Sequence, residues 1–193
     1  MNAIANVAPT NTVPMTAEEF SRSHENNRAE LVNGVVEELP MPRNKHGYIC
    51  NLLAFFLTEF VRKNDRGRIM SNDSFIQTRT NPDTIRGPDI SYFSYDRMPK
   101  GHVPDGLSPH IPDLVVEVVS PTNTFDEIHI KNEEYFQAGV RLVWVVSTRM
   151  RFIQVYTDAG QFYQLGMNDT LTGDPVLPGF TLPLKNLFSK RYS

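Results

Sequence analysis

A mixed α/β fold, one sheet covered by helices, is predicted by three features of the chain. Two nearly continuous β-branched runs, residues 112–121 and 141–147, have the pattern of interior strands covered on both faces. A helical stretch closed by Gly139 separates them, making a βαβ unit whose parallel, right-handed crossover is strongly preferred. Further upstream, from residue 44 to about 64, Ile49, Leu52, Leu53, Phe56, Leu57, Phe60 and Val61 fall on one helical stripe, as in a helix laid on a sheet.

Composition agrees with one such domain. The 193 residues are 40% hydrophobic and 21% charged, ordinary globular values for a chain of this length. A net charge of -3 excludes a globally basic nucleic-acid binder and leaves room only for a local basic patch. The single cysteine, Cys50, rules out an internal disulfide and reads as a buried packing thiol. No apolar run is long enough to cross a bilayer, and the N-terminus lacks the pattern of a signal peptide, so a cytoplasmic protein without membrane association is expected.

Residues 1–14 are small, polar and aperiodic, and read as a flexible tail ahead of one domain over 15–193. Thr16-Ala17-Glu18-Glu19 fits a capping box and opens a short helix. Asn33-Gly34 then joins two β-prone runs as a two-residue hairpin, with Glu30 in its first arm. Extending the stripe of the next helix backwards brings His46 toward the sheet, where a helix-edge histidine with a satisfied hydrogen bond is the ordinary reading.

Two strands follow, over 68–78 and 89–95, divided by the loop chemistry of Asn81-Pro82-Asp83 and Arg86-Gly87-Pro88. Residues 96–112 read as a long surface loop. The helix from 124 or 125 to 138 carries Ile128, Tyr135 and Ala138 on its apolar stripe, and Lys131 lies on that same stripe. Residues 151–157 and 161–165 form a C-terminal hairpin, and the remainder reads as irregular chain ending in a short helical turn.

Glu117 sits inside the first interior run, where an ionised carboxylate needs a metal, lysine or arginine partner. Asp89 begins the preceding strand, and two neighbouring carboxylates repel unless a cation lies between them. Oxygen ligands suit Mg²⁺ or Mn²⁺, and such an ion with a lysine beside it provides what phosphodiester hydrolysis requires. The alternative is a plain ion pair between Glu117 and Lys131, with Lys131 otherwise free to reach the helix edge.

Ala29-Glu30-Leu31-Val32-Asn33-Gly34, His46, Gly87-Pro88-Asp89, Val116-Glu117-Val118-Val119-Ser120-Pro121, Lys131 with Tyr135, Ala138-Gly139-Val140 and Leu177-Pro178-Gly179-Phe180 occur in consistent order over roughly residues 15–188. Together they resemble the Uma family of restriction-endonuclease-like proteins, in the PD-(D/E)XK nuclease superfamily. The resemblance implies an αβββαβ core with a mixed sheet, Asp89 and Glu117 as ligands of Mg²⁺ or Mn²⁺, and an endonuclease acting on DNA, many such enzymes being homodimers. Where the superfamily pattern has a lysine two residues after the glutamate, this chain has Val119. Lys131 matches the migrated position found in related members, and Glu30 and His46 match further family positions.

Arg79, Arg86, Lys100 and Arg97 flank Asp89 and are candidates for phosphate contacts, against the plain reading of a solvated surface. A catalytically inactive nuclease-fold module that binds nucleic acid or assembles with protein is the competing expectation, favoured by the acidic pI of about 5.9 and by Val119.

Overall fold

The computed structural model describes residues 13–24, 27–101, 103–119 and 124–189; most of the expected tail, and Ser120-Pro121 of the motif, lie outside them. A reciprocal capping box between Thr16 and Glu19 starts α1 (Ala17–Ser23), as the sequence implied. The hairpin of β1 (Ala29–Val32) and β2 (Val35–Glu38) turns on Asn33 and Gly34, both at positive φ, the backbone that matches the twist of its strands. Then come α2 (Asn44–Lys63), β3 (Arg68–Ser71), β4 (Ile76–Arg79), β5 (Thr84–Arg86) and β6 (Ile90–Phe93).

Two expectations change here. The single strand over 68–78 is two strands in different sheets, because Asn72 and Asp73 both take positive φ and redirect the chain. Within the region assigned to loops, Thr84-Ile85-Arg86 is strand, held between β1 and β4.

The remaining elements are β7 (Leu114–Val119), α3 (Phe125–Ala138), β8 (Leu142–Ser147), β9 (Phe152–Thr157), β10 (Phe162–Gly166), β11 (Thr170–Thr172), β12 (Thr181–Pro183) and α4 (Lys185–Phe188). The segment read as irregular thus contains a small antiparallel pair, β11 with β12. Gly139 caps α3 in the left-handed conformation, its N–H donating to the carbonyls of Tyr135 and Phe136.

A six-stranded sheet runs β10-β9-β8-β7-β6-β3, with β7 and β8 parallel and its other pairs antiparallel. A second sheet runs β2-β1-β5-β4. The period-two alternation of β7 divides its side chains between two cores. Leu114, Val116 and Val118 pack with Leu53, Leu57 and Trp144 on the α2 side, whereas Val115 packs with Tyr135 and Val143 on the α3 side. Glu117 and Val119 have the parity of Val115, so Glu117 is directed at α3. Burying Leu53 and Leu57 completely stabilises this arrangement by about 2 kcal/mol per side chain.

Candidate active site

The antiparallel register between β6 and β7 matches Ile90 with Val116, which brings Asp89 level with Glu117 at one end of the two strands. Asp89 is pinned there: its Oδ2 accepts the Val118 backbone N–H at 2.7 Å. Its Oδ1 lies 3.1 Å from His46 Nε2, one turn into α2, and the hydrogen bond that this carboxylate accepts from the imidazole raises the imidazole pKa. Cys50, four residues along the same helix, places its Sγ 3.5 Å from His46 Nδ1.

On the other side, α3 supplies Lys131, whose Nζ is 3.1 Å from Glu117 Oε1 and 2.8 Å from Glu30 Oε1. One helical turn further, the Tyr135 hydroxyl donates to Glu117 Oε1 at 2.5 Å. Burial pushes the Glu117 carboxyl up; Lys131 pulls it down, Asp89 and Glu30 add repulsion, and the balance is a pKa of about 7. Lys131 goes the opposite way to most buried amines: burial disfavours its charge, but Glu117 and Glu30 outweigh that and hold it protonated. For Glu30, burial is outweighed by the Lys131 and Arg86 cations, which keep it ionised below its ordinary range.

A buried ion-pair network braces this cluster. Arg86 bonds Glu30 Oε2 through Nη1 at 2.8 Å and Glu134 Oε2 through Nη2 at 2.7 Å, while the Gly87 N–H donates to Glu30 Oε1 at 3.0 Å. Glu30 thus links the hairpin sheet to Lys131.

The predicted residues therefore fall into two groups. Asp89, Glu117, Lys131, Glu30 and His46 converge. The basic residues expected at phosphates do not: Arg86 is buried with its guanidinium spent on two carboxylates, and this corrects its expected surface role. Lys100 pairs with Asp65 and stands over the Tyr95 ring. Arg97 reaches Gly139 and Asp113, at the opposite end of β7 from Glu117. Only Arg79, half-exposed and 3.7 Å from Glu134, lies on the same side as the cluster.

Three further residues beside the cluster carried no site role in the sequence. Glu134 lies at helical spacing from Lys131 on a stripe already interrupted by charge, which is the signal that marks it. Cys50 follows His46 at i+4, a spacing that stacks both on one face. Asn132 is buried, its Nδ2 has no partner among the described residues, and it lines a cavity of about 80 Å³ with Glu117 and Lys131. A larger cleft of about 590 Å³, lined by Arg28, Asp73, Ser74 and Pro104, includes none of the converging residues.

The donor set fits a hard divalent cation. Asp89 and Glu117 sit level on adjacent strands, the ionised form of Glu117 is disfavoured without a further positive charge, and its Oε2 accepts no hydrogen bond from the described residues.

This sheet, with acids at the joined ends of two central strands and the following helix packed behind them, defines a restriction-endonuclease-like α/β protein. The chain belongs to the Uma2 family, whose description is "Putative restriction endonuclease" and whose model matches residues 17–185. Among solved structures it is similar to the crystal structure of a "putative nuclease belonging to DUF820" from Anabaena variabilis ATCC 29413, with a TM-score of 0.79 and 20% sequence identity. That match covers 91% of this chain and 98% of the other, and speaks to the fold. No curated protein matches the chain.

Proposed function

We propose that the chain is a Mg²⁺- or Mn²⁺-dependent endonuclease that hydrolyses DNA phosphodiester bonds, with Asp89 and Glu117 as the metal ligands and Lys131 beside them. The observation that carries this reading is Lys131 Nζ at 3.1 Å from Glu117, which supplies from α3 the cation that Val119 cannot provide. When bound, the divalent ion acidifies a water and neutralises phosphoryl charge.

The chain's own groups divide the remaining work. Tyr135 holds Glu117 by Oε1, so that Oε2 would be the oxygen offered to a cation. His46 orients Asp89 and supports its ionised form. Lys131, kept protonated by two carboxylates, is a donor and a fixed positive charge rather than a base; it orients the attacking water and stabilises charge on the phosphoryl oxygens. Glu30, braced by Arg86 and Gly87, fixes the height of the Lys131 ammonium. Two copies acting as a homodimer in the cytoplasm would cut both strands.

One observation favours a second reading, a catalytically silent module: Lys131 is shared with Glu30 at 2.8 Å and therefore already has a structural employment. Plasmid nicking by the purified protein separates the two. The nuclease reading expects cleavage with Mg²⁺ or Mn²⁺, and its loss by at least a hundredfold in Asp89→Ala, Glu117→Ala and Lys131→Ala. Absence of wild-type cleavage on duplex, single-stranded and structured DNA alike contradicts it.

A further inference from the structure

Cys50 takes no part in the proposed chemistry; it packs against the α2-side core, and its thiol also faces polar groups. It is half-buried, with its Sγ 3.5 Å from the imidazole Nδ1 of His46. A ring nitrogen of His46, Sγ of Cys50 and a carboxylate oxygen of Asp89 all lie within 4.8 Å of one another. The edge of a tetrahedral zinc site, with Zn–N and Zn–S bonds of ordinary length, is about 3.5 Å; His46 Nε2, the ring nitrogen that meets Asp89 Oδ1 at 3.1 Å, lies 4.0 Å from Sγ, and Nδ1 lies 3.5 Å from it. Rigid backbone sets two of the three donors, since His46 and Cys50 are one turn apart on α2, and the third is pinned by the Val118 amide.

We infer that His46, Cys50 and Asp89 form a site for a thiophilic divalent cation of the zinc class, which shares Asp89 with the Asp89–Glu117 pair but is chemically distinct from it. The distinction lies in the donors. Sulfur and imidazole nitrogen select zinc, cobalt or cadmium, whereas Mg²⁺ demands oxygen and does not displace a thiol proton. As the sulfur–metal bond forms, the thiol gives its proton to solvent, and three protein donors leave one tetrahedral position open. An ion held here takes the Asp89 carboxylate from its partner Glu117. This goes beyond the nuclease reading and does not depend on DNA being cut.

Cobalt reads the site directly, because a thiolate–Co²⁺ bond adds an intense near-ultraviolet charge-transfer band that oxygen ligands do not give. Titration of the reduced full-length chain should develop this band to an end point of one equivalent, and Zn²⁺ should abolish it. A hundredfold excess of Mg²⁺ should leave it in place. Glu117→Gln should retain the band, while His46→Ala should weaken Co²⁺ binding at least tenfold with its far-ultraviolet circular dichroism unchanged. The proposal is overturned if wild type, its thiol verified as free in denaturant, shows no band at one equivalent, or if His46→Ala and wild type bind Co²⁺ equally well. Should His46→Ala not fold, Cys50→Ser serves the same comparison and should lose the band. Since the readout is absorbance, a protein that cuts no DNA still passes or fails this test.

Discussion

Glu117 is the residue at which stability and function separate. Its carboxyl titrates at about 7 in the fold against an ordinary 4.5, so between these values the folded chain holds a proton that the unfolded chain has lost. Its contribution to stability is therefore full below pH 4.5, declines as pH rises and is gone above about 7. The whole difference amounts to at most about 3 kcal/mol. In chelator, Glu117→Gln should unfold later than wild type at pH 8, with the gap closing toward pH 4.5; thermal melts across that range measure it, and a variant less stable at pH 8 would indicate a structural ion pair instead. Arg86 behaves oppositely. Removing its guanidinium leaves Glu30 to Lys131 and the Gly87 N–H and Glu134 to the more distant Arg79, two buried acids short of a cation, so Arg86→Ala should cost about 3–5 kcal/mol in urea unfolding. A loss below about 1 kcal/mol would mean the network is solvated.

At the scale of elements, the geometry depends on how the β5–β6 connection meets the hairpin. A Cβ placed on Gly87 would lie 2.9 Å from the Asp73 carbonyl oxygen, which is backbone and cannot swing aside. Gly87→Ala should therefore destabilise by about 1–3 kcal/mol and loosen the Gly87 N–H bond to Glu30, both visible by hydrogen exchange at β1 and β5. The long elements were legible because each carries its own period. The stripe of α2, the capped α3 and the apolar runs of β7 and β8 are local patterns that the fold did not override. Short elements were not. Thr84-Ile85-Arg86 is only three residues between two prolines, and its strand exists because β1 and β4 flank it, information absent from any window of sequence. The break at Asn72-Asp73 had a visible sign, two residues tolerant of positive φ, inside a stretch otherwise β-prone.

For the whole molecule, Glu117 and Lys131 stood out because a misplaced charge on an apolar strand or stripe is conspicuous in sequence, whereas Glu30 has the look of an ordinary hairpin residue and was marked only by its match to a family position. The fate of the basic residues could not. Arg86 and Lys100 have the same local surroundings of proline and glycine, and only the tertiary fold turns one inward to Glu30 and Glu134 and leaves the other exposed beside Asp65. No helix among the described residues is long and apolar enough to cross a membrane. What joins the two sheets at the candidate site is the Lys131 link between Glu30 on β1 and Glu117 on β7. The cation site proposed within this cluster is open to calorimetric titration with Mn²⁺, which requires no DNA substrate. Wild type should bind Mn²⁺, with affinity reduced at least tenfold in both Asp89→Asn and Glu117→Gln. No binding by wild type, or equal binding by all three proteins, would contradict it.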